Sequence, residues 1–132
     1  MKAAPDTNVL IRAVVEDDAK QARAARHLLS NADSIAISLP CFCEFAWVLG
    51  TVYKMDKLDI AAAIETYIQA RNVVTDHPAV DGGLAMLYAG GDFADGVLAF
   101  EGRRLNADIF VSFDKEAVKL LARQGLSAKL LS

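Results

Sequence analysis

Short apolar runs alternate along the chain with longer stretches in which apolar side chains recur at helical spacing. Five runs are too short to be independent helices and predict β-strands at residues 2–5, 34–38, 72–75, 109–113 and 128–131. Strands separated by segments of helix length are typical of a parallel sheet covered by helices. The pattern therefore predicts an α/β fold.

Six segments between these runs predict helices, at residues 20–30, 41–52, 59–70, 80–89, 94–105 and 115–124. Asp56 or Asp59 is expected to cap the third helix, and Gly125 is expected to end the last one. Gly90 and Gly91 form a double-glycine break directly before Asp92. Backbone freedom is therefore concentrated beside a cluster of acidic residues.

Length and composition favour one domain covering residues 1–132, because the chain is 54% apolar and has enough residues for a single core. No uncharged stretch exceeds ten residues, whereas a membrane-spanning helix needs roughly 20. The first residues contain no apolar segment of signal-peptide length. We therefore expect no membrane association and a cytoplasmic location.

The cysteines and histidines give no sign of a zinc site or a disulfide. Cys41 and Cys43 are the only cysteines, and their spacing suits neither a loop-closing disulfide nor a four-ligand zinc site. His27 and His77 lie far apart in the chain without a metal-binding spacing. We expect core thiols and exposed helical histidines.

The net charge of −3 argues against a protein that binds nucleic acid mainly through an overall positive charge. The charge is uneven, because residues 101–132 contain six basic and four acidic side chains. A local basic rim in this segment is one interpretation, and a solvated helix face is the other.

Two carboxylates follow predicted strands. Asp6 comes after the first strand and Asp114 after the fourth. Open α/β sheets bind ligands at the carboxyl ends of their strands, which would bring both acids to one edge. Either residue also fits a helix N-cap, and a cap at Asp114 would start the helix at Lys115. Thr7 and Ser112 are nearby hydroxyls that suit a coordinated water, a phosphate oxygen or ordinary turn hydrogen bonds.

Glu44 is the only charged residue between Asp33 and Lys54, in a segment that is apolar on nearly every helical face. No cation lies within one helical turn of it. Burying this carboxylate uncompensated would cost several kcal/mol, so we expect a metal or a distant Arg to meet it. The alternative is an exposed Glu on an incompletely buried helix.

Asp95 comes three residues after Asp92, at the start of a predicted helix. We assign Asp92 as the helix cap and Asp95 as a metal ligand that projects over the sheet edge. Together with the other three carboxylates, Asp95 gives a set of hard oxygen ligands without paired Cys or His. Such a set favours Mg²⁺ or Mn²⁺ over zinc, and phosphodiester hydrolysis is its natural chemistry.

At these residues the chain resembles the PIN-domain family, in particular the VapC-type toxins of bacterial VapBC toxin-antitoxin pairs. The resemblance covers almost the whole length and rests on residues 6–12, residues 40–49 around Glu44, residues 91–95, and residues 112–114 after an apolar strand. A start like Asp6-Thr7-Asn8 alone would be a weak signal. The ordered set of four motifs is a strong one.

The resemblance implies a three-layer α/β/α fold with a central, mainly parallel sheet of four to five strands. It also implies a Mg²⁺-dependent endoribonuclease whose catalytic and metal-binding residues are Asp6, Glu44, Asp95 and Asp114. Expected partners are structured RNA such as tRNA or rRNA, a VapB-type antitoxin and a second copy in a homodimer. Candidate substrate contacts are Thr7, Asn8, Arg12, Ser112, Arg103, Arg104 and Lys115.

The chain departs from the family pattern at two places. Pro5 precedes the first acid, where the family usually has an apolar strand residue, and it removes a backbone donor from a strand that should be central. Glu116 and Ala117 replace a common Asp-Phe pair after Asp114, which we expect to alter the rim of the site.

Two other functions fit parts of the sequence. One is a phosphoesterase that uses Asp6 as its nucleophile, although Asn8 stands where that chemistry typically has a second acid. The other is a catalytically silent protein-binding module whose acids only cap helices.

Overall fold

The computed structural model describes residues 1–132 and contains five short strands and seven helices. The strands are β1 (Lys2–Ala3), β2 (Ser34–Ala36), β3 (Val73–Val74), β4 (Phe110–Ser112) and β5 (Ala128–Leu130). The helices are α1 (Thr7–Val14), α2 (Ala19–Asn31), α3 (Leu39–Thr51), α4 (Lys57–Gln69), α5 (His77–Tyr88), α6 (Phe93–Arg104) and α7 (Lys115–Arg123). All five predicted strands are confirmed, and each is shorter than its apolar run.

Every strand pair is parallel, as predicted, and the strands and helices form an α/β/α arrangement with a short sheet. β2 lies between β1 and β3, with Ile35 opposite both Ala3 and Val73. β4 pairs with β5, with Val111 opposite Lys129. The hydrogen-bonded strands thus form two parallel sheets, one of β1, β2 and β3 and one of β4 and β5. β1 ends two residues before Pro5, which has no N–H to extend the ladder.

The six predicted helices are confirmed to within three residues at either end, but α1 is an additional helix that the pattern did not predict. Its eight residues include an apolar run in which Leu10 and Ile11 are buried. A helix this short is marginal in isolation. Packing against α2 and α3 stabilises it, and that packing has no local signal.

Two apolar clusters make up the core. The larger one joins β2 to α1, α3, α4, α5 and α6 around Phe42, Phe45 and Phe93. The smaller one joins α5, α6 and α7 through Met86, Ala99, Ala117, Leu120 and Leu121. Because α5 and α6 contribute to both clusters, they connect the two groups of strands.

Glycines allow α5 and α6 to approach each other closely. A Cβ on Gly96 would overlap the carbonyl oxygen of Gly82, and a Cβ on Gly83 would overlap the ring of Phe93. Neither helix can carry side chains at these positions without separating. Since Gly96 directly follows Asp95, this crossing fixes where the Asp95 carboxylate lies.

The remaining expectations for single residues are largely confirmed. Cys41 is buried and Cys43 is half-buried, and both are free thiols. His27 and His77 are exposed helical residues. Gly125 follows the end of α7 with a φ of +82°, a conformation that favours glycine. Separately, none of the helices is both long and apolar enough to cross a membrane.

Candidate metal centre

Asp6, Thr7, Cys41 and Glu44 lie together between α1 and α3, and we call them the Thr7 group. The buried Thr7 hydroxyl donates to Oε1 of Glu44, and Thr7 Oγ1 lies 3.9 Å from Cys41 Sγ. The thiol in turn donates to the carbonyl of Pro5 at 3.8 Å. Burial raises the pKa of the Cys41 thiol, and the charges of Glu44 and Asp6 raise it further. Both carboxylates therefore lie near this thiol.

Asp6 is the N-cap of α1. Its Oδ1 accepts a hydrogen bond from the backbone N–H of Val9 at 3.2 Å, and the side chain is exposed. The capping interpretation of Asp6 is thus confirmed. A cap of this kind uses one carboxylate oxygen, so it is compatible with binding a cation through the other.

Glu44 is exposed, so the expectation that burial would force a cation onto it is wrong. The exposed positions of α3 recur at helical spacing, at Pro40, Glu44, Trp47 and Thr51. Pro40 and Trp47 are apolar, so the residue types alone do not show that this face of α3 is exposed to solvent. The group that meets the Glu44 carboxylate is the hydroxyl of Thr7.

Lys57, Asp92, Asp95, Asp114 and Glu116 line one small cavity at the starts of α4, α6 and α7, and we call them the Asp95 group. Burial raises the pKa of Asp95, and the carboxylates of Asp92 and Asp114 raise it further, while Lys57 opposes them. The group therefore contains mutually repelling carboxylates and one cation.

Asp92 is the N-cap residue of α6, as predicted, but its side chain makes no capping hydrogen bond. Its Oδ1 instead accepts from Nζ of Lys57 at 3.3 Å. Lys57 was not among the residues predicted from the sequence. The sequence did contain a signal for Lys57: it is a positive charge at the first position of a helix, where the helix dipole disfavours a cation.

Asp114 caps α7, as predicted, by accepting hydrogen bonds from the backbone N–H groups of Glu116 at 2.9 Å and Ala117 at 3.2 Å. Its own N–H donates to Oγ of Ser112 at 2.9 Å. Ser112 thus makes an ordinary turn hydrogen bond. The turn holds Asp114 beside Asp95, and Glu116 lines the same cavity rather than lying remote from it.

The candidate substrate contacts are scattered. Arg12 bonds to Gln21 at 2.7 Å and to Asp17 at 3.0 Å. Asn8 is exposed and lines a groove between α1 and α2. Lys115 is exposed and directly follows Asp114. Of these three, only Lys115 adjoins the Asp95 group in the chain.

Arg103 and Arg104 lie at the far end of α6 from Asp95, about 12 Å along the helix at ~1.5 Å per residue. Arg104 bonds to Asp76 at 2.9 Å and lies 4.7 Å from the centroid of the Phe100 ring. These contacts connect the end of α6 to the start of α5. They give Arg104 a structural role away from the carboxylates.

The four predicted ligands thus fall into two pairs, Asp6 with Glu44 and Asp95 with Asp114. As placed, no three His, Cys, Asp or Glu side chains are close enough together to hold a metal ion. The donor chemistry of both pairs nevertheless fits a hard divalent cation, which prefers carboxylate oxygens. The Asp95 group fits it best, because a bound cation would relieve the repulsion around Asp95.

Comparison with models of protein families identifies a family for this chain. No curated protein matches the chain. The family model of the PIN domain matches residues 3–123, a span that contains all four candidate carboxylates. PIN domains are typically nucleases, and PIN nucleases generally use divalent metal ions. With its parallel strands, covering helices and this match over most of its length, the chain belongs to the PIN domain family.

Proposed function

We propose that residues 1–132 form a single-domain, Mg²⁺-dependent endoribonuclease that acts as the VapC-type toxin of a type II toxin-antitoxin pair. Mn²⁺ is the expected substitute metal. The proposal includes a homodimer in the cytoplasm, a VapB-type antitoxin that neutralises it, and tRNA or rRNA as substrate. It is supported by membership of a nuclease family and by the ordered motifs around the four carboxylates.

The observation that carries the proposal is the Asp95 group. Four carboxylates, those of Asp92, Asp95, Asp114 and Glu116, line one cavity with only Lys57 to balance them. Burial raises the pKa of Asp95, and repulsion by Asp92 and Asp114 raises it further. Like charges gathered in this way destabilise a fold unless a cation joins them. Functional sites are where such arrangements concentrate.

In the proposed reaction, Asp6, Glu44, Asp95 and Asp114 would hold one or two divalent cations. When bound, such an ion would lower the pKa of a water molecule and stabilise negative charge on the phosphodiester. Thr7 orients Glu44 through its hydroxyl, and Lys57 and Lys115 contact phosphate oxygens. Water attacks phosphorus as the bond to the 3′ oxygen breaks, which leaves a 5′-phosphate and a 3′-hydroxyl.

The direct test is to incubate total RNA with the purified protein in Mg²⁺ or in EDTA and to map the new 5′ ends. We expect discrete cuts that require Mg²⁺ and disappear in Asp95→Asn. Asp108→Asn is the matched control, because Asp108 is exposed in the loop between α6 and β4. Asp95→Asn cutting at the wild-type rate would contradict the assignment, and a covalent phosphate on Asp6 would indicate the phosphoesterase instead.

A further inference from the structure

Trp47 is the only tryptophan of the chain, and its side chain is largely exposed. It lies on the solvent face of α3 and lines a groove of about 360 Å³ between α3, α4 and the start of α6. The groove is lined mainly by apolar side chains, including Ala46, Met55 and Phe93. An exposed indole beside an apolar floor offers a flat surface on which a planar ligand can stack.

This groove adjoins the cavity of the Asp95 group. Lys57, Asp92 and Asp95 line both spaces. A ligand that placed a phosphate near Lys57 and Asp95 would therefore have its adjoining planar part within reach of Trp47. Few ligands combine a phosphate with a flat, stacking ring, and nucleotides are the class that fits.

The charge of the chain gives a second reason for stacking. With a net charge of −3 and an acidic cavity, the protein gains little affinity from neutralising phosphates. Stacking of a base on an aromatic side chain contributes binding free energy that depends little on salt concentration. Any of the bases can stack in this way. A base can reach the indole only when it is unpaired, as in a single-stranded loop or end.

We propose that Trp47 is a base-stacking residue that binds an unpaired base of RNA next to the scissile phosphate. The proposal rests on the proposed function, since it names a residue that would position the RNA to be cleaved at the Asp95 group. Trp47 positions the substrate and takes no part in the bond-breaking step.

Because Trp47 is the sole tryptophan, fluorescence excited at the red edge of the indole band, where the tyrosines do not absorb, reports on it alone. The binding test titrates the wild-type protein in EDTA with an octamer of riboadenylate and with an abasic octamer of the same sugar-phosphate length. We expect saturable quenching by the riboadenylate octamer and none by the abasic one, with little change between low and physiological salt. Equal or absent quenching with both octamers would overturn the proposal.

The kinetic test compares Trp47→Ala, Trp47→Phe and Tyr88→Ala on an RNA that the wild-type protein cuts. Stacking energies of about 1–3 kcal/mol per base correspond to a loss of about 5- to 150-fold in kcat/KM for Trp47→Ala. Trp47→Phe should recover part of this loss. Tyr88 is a matched control, because it is also an exposed aromatic residue but lines neither cavity.

The two proposals fail in different ways. If Trp47→Ala cuts RNA at the wild-type rate, the stacking proposal is wrong and the nuclease proposal stands. If no RNA is cut but the riboadenylate octamer still quenches Trp47, the nuclease proposal is wrong and the base site stands. A blue shift of the emission with rising protein concentration, without RNA, would show that a second copy covers Trp47 and would overturn the stacking proposal.

Discussion

The Thr7 group and the Asp95 group both contain candidate metal ligands, but their carboxylates are stabilised in different ways. In the Thr7 group, a buried hydroxyl donates to Glu44 and the N–H of Val9 donates to Asp6. In the Asp95 group, the half-buried Asp95 has carboxylates as neighbours and a raised pKa. Hydrogen bonds already stabilise the carboxylates of the Thr7 group, whereas those of the Asp95 group need positive charge. The main affinity for a cation should therefore lie in the Asp95 group.

The two groups also depend on different parts of the fold. Thr7 begins α1 and reaches across to α3, so the first group depends on one contact between two helices. Asp95 is placed by the close crossing of α5 and α6, in which a side chain on Gly96 would meet the backbone of Gly82. Backbone cannot give way as a flexible side chain can. The geometry of the Asp95 group should therefore be the more sensitive to packing.

The largest effect is expected for Gly96→Ala, which should lower the free energy of unfolding by about 3 kcal/mol, at the upper end of overpacking costs. The added methyl forces α5 and α6 apart and displaces Asp95. Urea denaturation measures the stability, and RNA cleavage measures the displacement. Gly102→Ala on the same helix is the control, because the nearest atom to its Cβ would be 3.9 Å away. Equal effects of the two substitutions would contradict the role of the crossing.

The second prediction separates the two groups by their response to metal. Mg²⁺ at ten times its dissociation constant should raise the free energy of unfolding of the wild-type protein by about 1.4 kcal/mol. Asp95→Asn should remove this increase, whereas Glu44→Gln should keep most of it. Thermal unfolding with and without Mg²⁺ gives the comparison. If Glu44→Gln removes the increase and Asp95→Asn keeps it, the ranking of the two groups is reversed.

The third prediction tests the link inside the Thr7 group. Thr7→Val keeps the shape of the buried side chain but removes the donor to Glu44, so the free energy of unfolding should fall by about 1 kcal/mol. A double-mutant cycle with Glu44→Ala, which removes the acceptor, should show coupling of about 0.5 kcal/mol or more. Thr66→Val is the control, because the exposed Thr66 hydroxyl bonds only within α4. Additive effects of the two substitutions would show that the hydrogen bond contributes nothing.

The smallest effect is expected for Asp95→Asn in EDTA. The folded protein holds a proton on Asp95 at pH values where the unfolded chain has lost it, because burial and neighbouring carboxylates raise this pKa above 3.8. Wild-type stability therefore falls as the pH rises from about 3.8 through the raised pKa, and it stays lower above it. Asp95→Asn avoids this loss and should be more stable at pH 7 by about 1 kcal/mol or less, since partial exposure screens the repulsion.

Urea denaturation of both proteins in EDTA from pH 3 to pH 8 checks this prediction. The difference between them should be near zero at the acidic end and should grow as the pH rises. Asp108→Asn should show no such growth. A difference that is constant with pH would mean that the substitution acts through packing rather than through charge.

The sequence was a good guide wherever the signal was local. The cap at Asp114 was predicted, and a cap was one of two interpretations of Asp6, because a short acidic side chain after a strand can satisfy the first N–H groups of a helix. The five strands and six of the seven helices followed from apolar spacing. α1 was missed, because its helical state depends on the burial of Leu10 and Ile11 against other helices.

The sequence was a poor guide to burial and to long-range partners. Glu44 was expected to be buried, but the exposed apolar residues Pro40 and Trp47 share its face of α3. Asp92 is the predicted N-cap residue of α6, but its side chain pairs with Lys57, which lies 35 residues earlier in the chain. Neither fact is encoded in neighbouring residues. Each depends on which helix packs beside which.

The sequence by itself determined the α/β class, the boundaries of most elements and the acids at the starts of α1, α6 and α7, because backbone capping and apolar periodicity act over a few residues. Only the tertiary structure decided that the four candidate carboxylates form two pairs, that Thr7 meets Glu44, and that Trp47 is exposed beside Asp95. These facts depend on the approach of distant helices. That approach is set by core packing and by the glycines of α5 and α6, whose effect appears only when the two helices are in contact.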